Sequence, residues 1–396
     1  MKYKFILTGF IFSSFLANAQ DASTTYAITG NGNGDLHWKN IQQVDLTTGK
    51  LVKNVYVNGT SAKIFDGITK QPLGITNGST SDELIAASAF DLKHNKLFYA
   101  TMNSGQLRWI DLNNGTDNLS IYYYRDQSFN PEANVTDQAL NITRMCIGAN
   151  GNGYAITNDA NHLYEFTTGD RPTITDLGNI VDADGSNGMS IHNQCSSWGG
   201  DMIADAYGKL YLISASHTVF SIDIDSRIAT YLGSITGLPG TYTTNGAAVD
   251  NDGNIVVSSA NVDDVLYKVN FADLSATQVA GSDKFNASDL ANGNLLFQRE
   301  AIVSSKVSAG AHIYPNPVPA STSAFNVLFS GQAAGKYNIE LSDLSGRKVL
   351  VKTVTVLGSG QVETVDISRG IAKGTYMVKV SGTDNANGFT DKIVIQ

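Results

Sequence analysis

The segment Ile191-His192-Asn193-Gln194-Cys195-Ser196-Ser197-Trp198-Gly199-Gly200-Asp201 gathers an indole, amides, hydroxyls and a carboxylate. Such a mixture can stack on sugar rings or peptide groups while its polar atoms fix orientation. Arg144, Asn245 and Asp289 are expected to approach the same place from other parts of the chain. The candidate binding set is therefore Arg144, Asn193, Gln194, Trp198, Asp201, Asn245 and Asp289. If Asp201 and Asp289 stood about 5–9 Å apart, they could instead serve as the two carboxyls of a glycosidase. The plainer reading packs Trp198 inside the fold and uses Gly199 and Gly200 for a bend.

No other constellation carries catalysis, and no catalytic residue is assigned. The sequence holds no G-x-S-x-G, H-E-x-x-H or H-x-x-E-H, and the six histidines are scattered without ligand spacing. Asp182-Ala183-Asp184-Gly185-Ser186-Asn187-Gly188 offers hard oxygens of the kind calcium takes. Its Gly is not at position six and the closing Glu is missing, unlike an EF-hand loop. Asp250-Asn251-Asp252-Gly253-Asn254 sits where a hairpin turn demands those residues anyway. No metal site and no cofactor are assigned, calcium being the one alternative. Cys146 and Cys195 are the only cysteines, and in an exported protein they could form a disulfide.

Composition bounds the elements that must hold these residues. Only 16% of residues are charged while 42% are hydrophobic, and Gly is abundant at 38 against 7 Pro. That mix suits many short strands joined by tight turns. Residues 20–308 carry 17 basic and 30 acidic side chains, which disfavours nucleic acid as a partner. At the start, Lys2 and Lys4 precede an apolar run from Phe5 to Leu16 and the cleavage-type tripeptide Ala17-Asn18-Ala19. Residues 1–19 thus read as a secretory signal whose apolar core is too short to span a bilayer. No transmembrane segment is expected.

An internal repeat decides the architecture. An inner strand, a polar turn and a second strand recur, as in Ala89-Phe90-Asp91-Leu92 before Leu97-Phe98-Tyr99-Ala100, and Ala247-Ala248-Val249-Asp250 before Ile255-Val256-Val257. The second strands begin at Leu97, Tyr154, Leu210, Ile255 and Leu295. Four strands per unit at such spacing matches the blades of a β-propeller. About six blades are expected over residues 20–303, within a range of five to seven, because residues 53–84 could hide one more. Phe285 to Gln298 would complete the partial first blade and close the ring. Residues 304–310, small and polar with Gly310, read as a linker.

Residues 311–396 alternate. Phe325, Val327 and Phe329 share a face, as do Tyr337, Ile339 and Leu341, then Tyr376, Val378 and Val380, then Ile393 and Ile395. Six or seven such strands predict an Ig-like β-sandwich. This stretch carries Tyr314-Pro315-Asn316-Pro317, Gly346-Arg347, Gly374-Thr375-Tyr376 and Lys392. In these motifs it resembles the C-terminal sorting domain of type IX secretion cargo from Bacteroidetes. The resemblance implies recognition by the type IX machinery, passage through periplasm and outer membrane, and a cell-surface or extracellular destination.

The whole reads as all-β: a propeller, then a sorting sandwich. The first functional expectation is a non-catalytic module that binds an extracellular glycan, peptide or protein at the propeller mouth. The alternatives are a glycan- or peptide-acting enzyme with its site at that mouth, and a structural component of the envelope or a biofilm.

Overall fold

The computed structural model of the chain describes residues 24–31, 37–57, 60–76, 84–102, 104–115, 119–129, 137–185, 188–298, 312–318, 324–329, 332, 334–343, 345–356, 361–367, 371–383 and 388–396. The expected signal (1–19) and linker (304–310) lie outside these residues. The chain divides into two compact units, residues 1–296 and 297–396.

The first unit is built from sheets whose strands pair mainly antiparallel. Blade one holds β1 (Thr25–Thr29), β2 (Asn40–Asp45) and β3 (Lys50–Tyr56). Next come β4 (Ala62–Asp66) and β5 (Pro72–Thr76). Blade two holds β6 (Ile85–Asp91), β7 (Lys96–Thr101), β8 (Leu107–Asp111) and β9 (Ser120–Tyr123). Blade three holds β10 (Ile142–Ile147), β11 (Gly153–Thr157), β12 (Leu163–Phe166) and β13 (Ile174–Gly178). After the short β14 (Val181–Asp182) and the one-turn helix α1 (Gln194–Ser197), blade four holds β15 (Asp201–Ala204), β16 (Lys209–Ile213), β17 (Thr218–Asp223) and β18 (Ile228–Ser234). Blade five holds β19 (Gly246–Val249), β20 (Ile255–Ser258), β21 (Tyr267–Val269) and β22 (Ala276–Gln278). Finally β23 (Ala287–Ala291) pairs antiparallel with β1, so that blade one has the order β23-β1-β2-β3.

The ring therefore closes as the sequence predicted, by joining its two ends in one sheet. The inner strands contact one another in the cycle β23, β6, β10, β15, β19 and back to β23. Among the described residues the blades number five, the lower bound of the expected range rather than six. Residues 53–84 do hold extra strands, but β4 pairs in parallel with β9 (Lys63 opposite Ser120), so β4 and β5 widen blade two instead of founding a sixth blade. The strand expected at Leu295 is also absent. Its place beside β23 is taken by β1, and Leu296 makes only a parallel bridge to Asp205.

Packing follows from stacking. Inner and second strands are covered on both faces, so β6, β7 and β11 are buried at every residue rather than at alternate ones. Outer strands such as β13 and β22 are largely uncovered. Cores form between neighbouring blades: Tyr26, Ile28, Phe90 and Tyr99 fill one, and Phe98, Trp109, Phe129 and Phe166 another. Within the second, Trp109 and Tyr122 stack at 5.3 Å and 8°. The turns between first and second strands are stitched by the Asp that ends or follows the inner strand. Asp91 accepts from the Lys93 and His94 amides, Asp205 from Tyr207 and Lys209, and Asp250 from Asp252 and Asn254. Asp250 is thus a turn residue, and it pairs with Lys268 at 2.8 Å.

Among the described residues the second unit has seven strands: β24 (His312–Tyr314), β25 (Ala324–Phe329), β26 (Gly335–Asp343), β27 (Lys348–Val356), β28 (Gln361–Asp366), β29 (Gly374–Gly382) and β30 (Gly388–Ile395). They form two sheets, β24-β25-β28 and β27-β26-β29-β30. The alternating residues named above are all buried and form one core between the sheets, the expected sandwich.

Candidate binding site

The loop into β15 is shaped by local bonds. Asn193 caps α1, its side chain accepting from the Cys195 and Ser196 amides at 2.9 and 3.2 Å. Trp198 is half-buried and donates from Nε1 to the His192 carbonyl at 3.2 Å. Gly200 has φ +84°, and a Cβ there would stand 1.9 Å from the Ile213 carbonyl oxygen, so no other residue fits the bend. Gln194 is exposed. Asn245 accepts the Ala260 amide at 3.0 Å, a turn-closing role. The glycines serve the bend, while Trp198 is only half-buried.

Arg144, Asp201 and Asp289 are brought together, but inside the ring. Each is fully buried, at 0% exposure. Arg144 donates from Nε to Gly199 O (3.0 Å), from Nη1 to Thr157 O (3.3 Å), and from Nη2 to Ser197 O (2.8 Å) and Asn158 O (3.3 Å). Burial draws its pKa down to about 9, opposed by the charges of Asp159 and Asp201, which leaves it a cation at neutral pH. Asp201 accepts from the Met202 amide (2.7 Å), the Ala247 amide (2.7 Å) and the Leu290 amide (3.3 Å). It thereby joins blade four to blades five and one. Ser88 of β6 donates to Asp289 Oδ1, joining blade one to blade two. The Asp289 carboxyl is raised above the usual range by burial, and Asp201 by burial and then by the charge of Asp289.

These three residues were expected at a solvent-filled mouth. The correction has a physical cause: inner strands end against neighbouring blades, so polar groups there are consumed by amides and carbonyls across the seams. Asn158, which sequence reasoning missed, belongs to the same network. Its Oδ1 accepts from Thr143 Oγ1 (2.7 Å) and the Gly199 amide (3.0 Å). Nothing in its local pattern distinguishes it from an ordinary turn residue.

The disulfide is not formed: both cysteines are free. Cys146 is buried in the core between blades three and four, where burial pushes its thiol up, whereas Cys195 lies exposed on α1. In the acidic loop, Asp182 accepts the Ile191 amide at 2.9 Å, and Ser186 and Asn187 lie outside the described residues. Among the described residues no three His, Cys, Asp or Glu side chains cluster as metal ligands would.

An open hollow of about 390 Å³ lies on the face where the chain enters the inner strands. It is lined by Ser104, Gln106, Tyr124, Arg125, Asp126, Gln127 and Ser128. Some of these are held in place: Tyr124 donates to Gln127 Oε1 (3.2 Å), which also accepts the Ile174 amide (2.9 Å), and Arg108 donates to Gln106 Oε1 (2.8 Å). Arg125 and Asp126 are exposed, and neither makes a hydrogen bond or ion pair among the described residues. None of the residues expected at the mouth lies here. The available signal was the charged pair that breaks off the Tyr122-Tyr123-Tyr124 run, which reads simply as the end of an outer strand.

In the second unit the motif residues have structural partners. Asn316 clamps β30, donating to Lys392 O (2.7 Å) and accepting the Val394 amide (3.0 Å), while Val318 pairs with Val394 and Gln396. Gly346, at φ +83°, and Arg347 turn around Asp343, whose carboxylate accepts from Arg347 Nε at 3.0 Å. The Ser345 hydroxyl and the Arg347 bonds hold Asp343 down to about 2. Gly374 opens β29, and Tyr376 donates to Ala372 O at 2.7 Å. Tyr314 is 41% exposed, and Pro315 and Pro317 both follow cis peptide bonds.

This unit coincides with a family match: residues 312–396 match the family described as the secretion system C-terminal sorting domain. They are a type IX sorting domain, which marks the chain for export to the cell surface or extracellular space. No helix among the described residues is long and apolar enough to cross a membrane. No curated protein matches the chain. Similar solved structures include PorZ, an essential bacterial surface component of the type IX secretion system of Porphyromonas gingivalis (14% identity, 94% of this chain and 51% of that one, TM-score 0.33). Another is the extracellular domain assigned to a one-component system of B. thetaiotaomicron (12%, 91% and 47%, TM-score 0.33). A third is virginiamycin B lyase of Staphylococcus aureus, solved in a catalytically inactive form with quinupristin (11%, 80% and 85%, TM-score 0.31). The chain spans about half the length of the first two. At these TM-scores the likenesses carry no weight, and the ring rests on its own strand order and register.

Proposed function

We propose that the ring is a non-catalytic binding module which the sorting domain delivers to the cell surface or beyond. Its ligand is a polar extracellular molecule, a glycan, peptide or protein. The observation that supports this reading is the hollow beside Arg125 and Asp126. It presents a cation, a carboxylate, amides and hydroxyls on one face, and neither charge makes a hydrogen bond or ion pair among the described residues. Such groups can bond hydroxyls or peptide units without ordering new structure. Gln194 and Asn193 are exposed at the loop into blade four. Asp201 and Asp289 are fully buried, which favours binding over glycosidase chemistry by that pair.

Glycan and peptide arrays probed with the full chain, its Arg125→Ala variant and its Asp126→Ala variant test the reading. Binding that weakens about tenfold or more in either variant, a change of about 1.4 kcal/mol, supports it when the unfolding midpoint is unmoved. Binding indifferent to both substitutions moves the site elsewhere. Turnover of the bound molecule overturns the non-catalytic assignment.

A further inference from the structure

The axis of the ring holds two carboxyls whose surroundings are unequal. Asp201 of β15 receives three backbone amides from three different inner strands, β15, β19 and β23. Three N–H dipoles aimed at one carboxyl favour its ionised form. Asp289 of β23 is served by Ser88 alone among the backbone and hydroxyl donors, the hydroxyl lying on Oδ1 and the Ser88 amide acting on the same carboxyl, while its Oδ2 is sealed from solvent with no donor. A bare carboxylate oxygen in that setting carries a large desolvation cost, which a carboxylic acid avoids.

We propose that the axis is a proton-binding site, in which one carboxylic acid proton shared between Asp289 and Asp201 locks the closing strand into the ring. The other groups around the pair are accounted for. Facing it are Ser88 on β6, and Arg144 and Cys146 on β10, whose charge or titration is linked to the pair. Strand β19, Gly246–Val249, contributes no ionisable side chain, and the one on β1 is Tyr26, opposite Ala291. Arg144 offsets one of the two carboxyls at most. A cation in place of the proton is disfavoured. Calcium takes six to eight oxygens, whereas the oxygens of Asp201 are already covered by amide protons.

The sign of the pH dependence follows. Both carboxyls are raised in the folded ring by burial, and are ordinary in the unfolded chain. Unfolding at neutral pH therefore releases the proton. Stability is fully present below the ordinary carboxylate range and declines as pH rises toward the raised folded values.

The full chain and its Asp289→Asn variant decide the matter. The unfolding midpoint of the unsubstituted chain is expected to fall between about pH 5 and about pH 9, with about one proton released per chain at neutral pH. Calorimetry in buffers of different ionisation enthalpy counts that proton. Asp289→Asn, which keeps the shape, is expected to flatten the slope and abolish the release. Hydrogen exchange corrected for its intrinsic pH dependence should show β1 and β23 loosening first as pH rises. If the variant does not fold, the infrared band of a protonated carboxyl in the native chain at neutral pH replaces it, and its absence overturns the proposal. So do a variant that keeps the original slope, exchange that rises equally in all strands, or stabilisation by calcium or sodium ions that only Asp289 confers.

Discussion

Arg144 shows how a residue chosen for chemistry can be consumed by architecture. Its guanidinium serves carbonyls at Thr157, Asn158, Ser197 and Gly199, tying blade three to the loop that opens blade four. Arg144→Met removes the donors and leaves those acceptors buried. A loss of about 3–5 kcal/mol is expected, the range for breaking a buried charged network, and urea unfolding measures it. The cysteines give a simpler check. Alkylation of the native chain is expected to modify Cys195 at once and Cys146 only after unfolding. At this scale the sequence was legible in part. Arg144, Asp201 and Asp289 lie near one another because each sits on an inner strand or at its start, but not at an open mouth. Their burial was not legible, because residue type alone does not say whether a carboxyl at a strand end meets water or the amides of the next sheet.

Among the elements, β30 repays attention because it ends its sheet. A bare edge strand invites pairing with other chains. Here the stretch Asn316–Val318 lies along it, with the Asn316 side chain standing in for a strand's backbone. Asn316→Ala is expected to cost about 1–3 kcal/mol and to speed amide exchange at Val394, read by exchange mass spectrometry. The tail was the more legible half of the molecule. Each sheet there has one covered face, so period-two alternation shows directly which residues point inward. Blade strands have two covered faces and lose that alternation, and the parallel pairing of β4 with β9 leaves no local mark. That is why the kind of fold could be read and the blade number only bracketed.

For the whole molecule, address and cargo fall in separate compact units. Removing residues 312–396 is expected to leave a ring with unchanged far-ultraviolet dichroism that no longer reaches the cell surface. Surface labelling of cells expressing the truncated and full chains measures the second effect, and retained surface display would contradict the sorting assignment. Charge agrees with the division: the acidic surplus belongs to the body, while the segment from Ala309 onward carries 8 basic and 6 acidic residues.

The seam between β1 and β23 has a temporal consequence. Ser288 reaches Ile28 across 260 positions of chain, so the circle cannot be completed until nearly the whole body has emerged. Contacts so distant in sequence slow folding. A delay of this kind suits a polypeptide that must stay threadable through a first membrane and become rigid only afterwards. The last piece of the circuit ends before the sorting domain begins, so a protease cutting between residues 298 and 312 would detach the address and leave every rung of the ring's ladders in place.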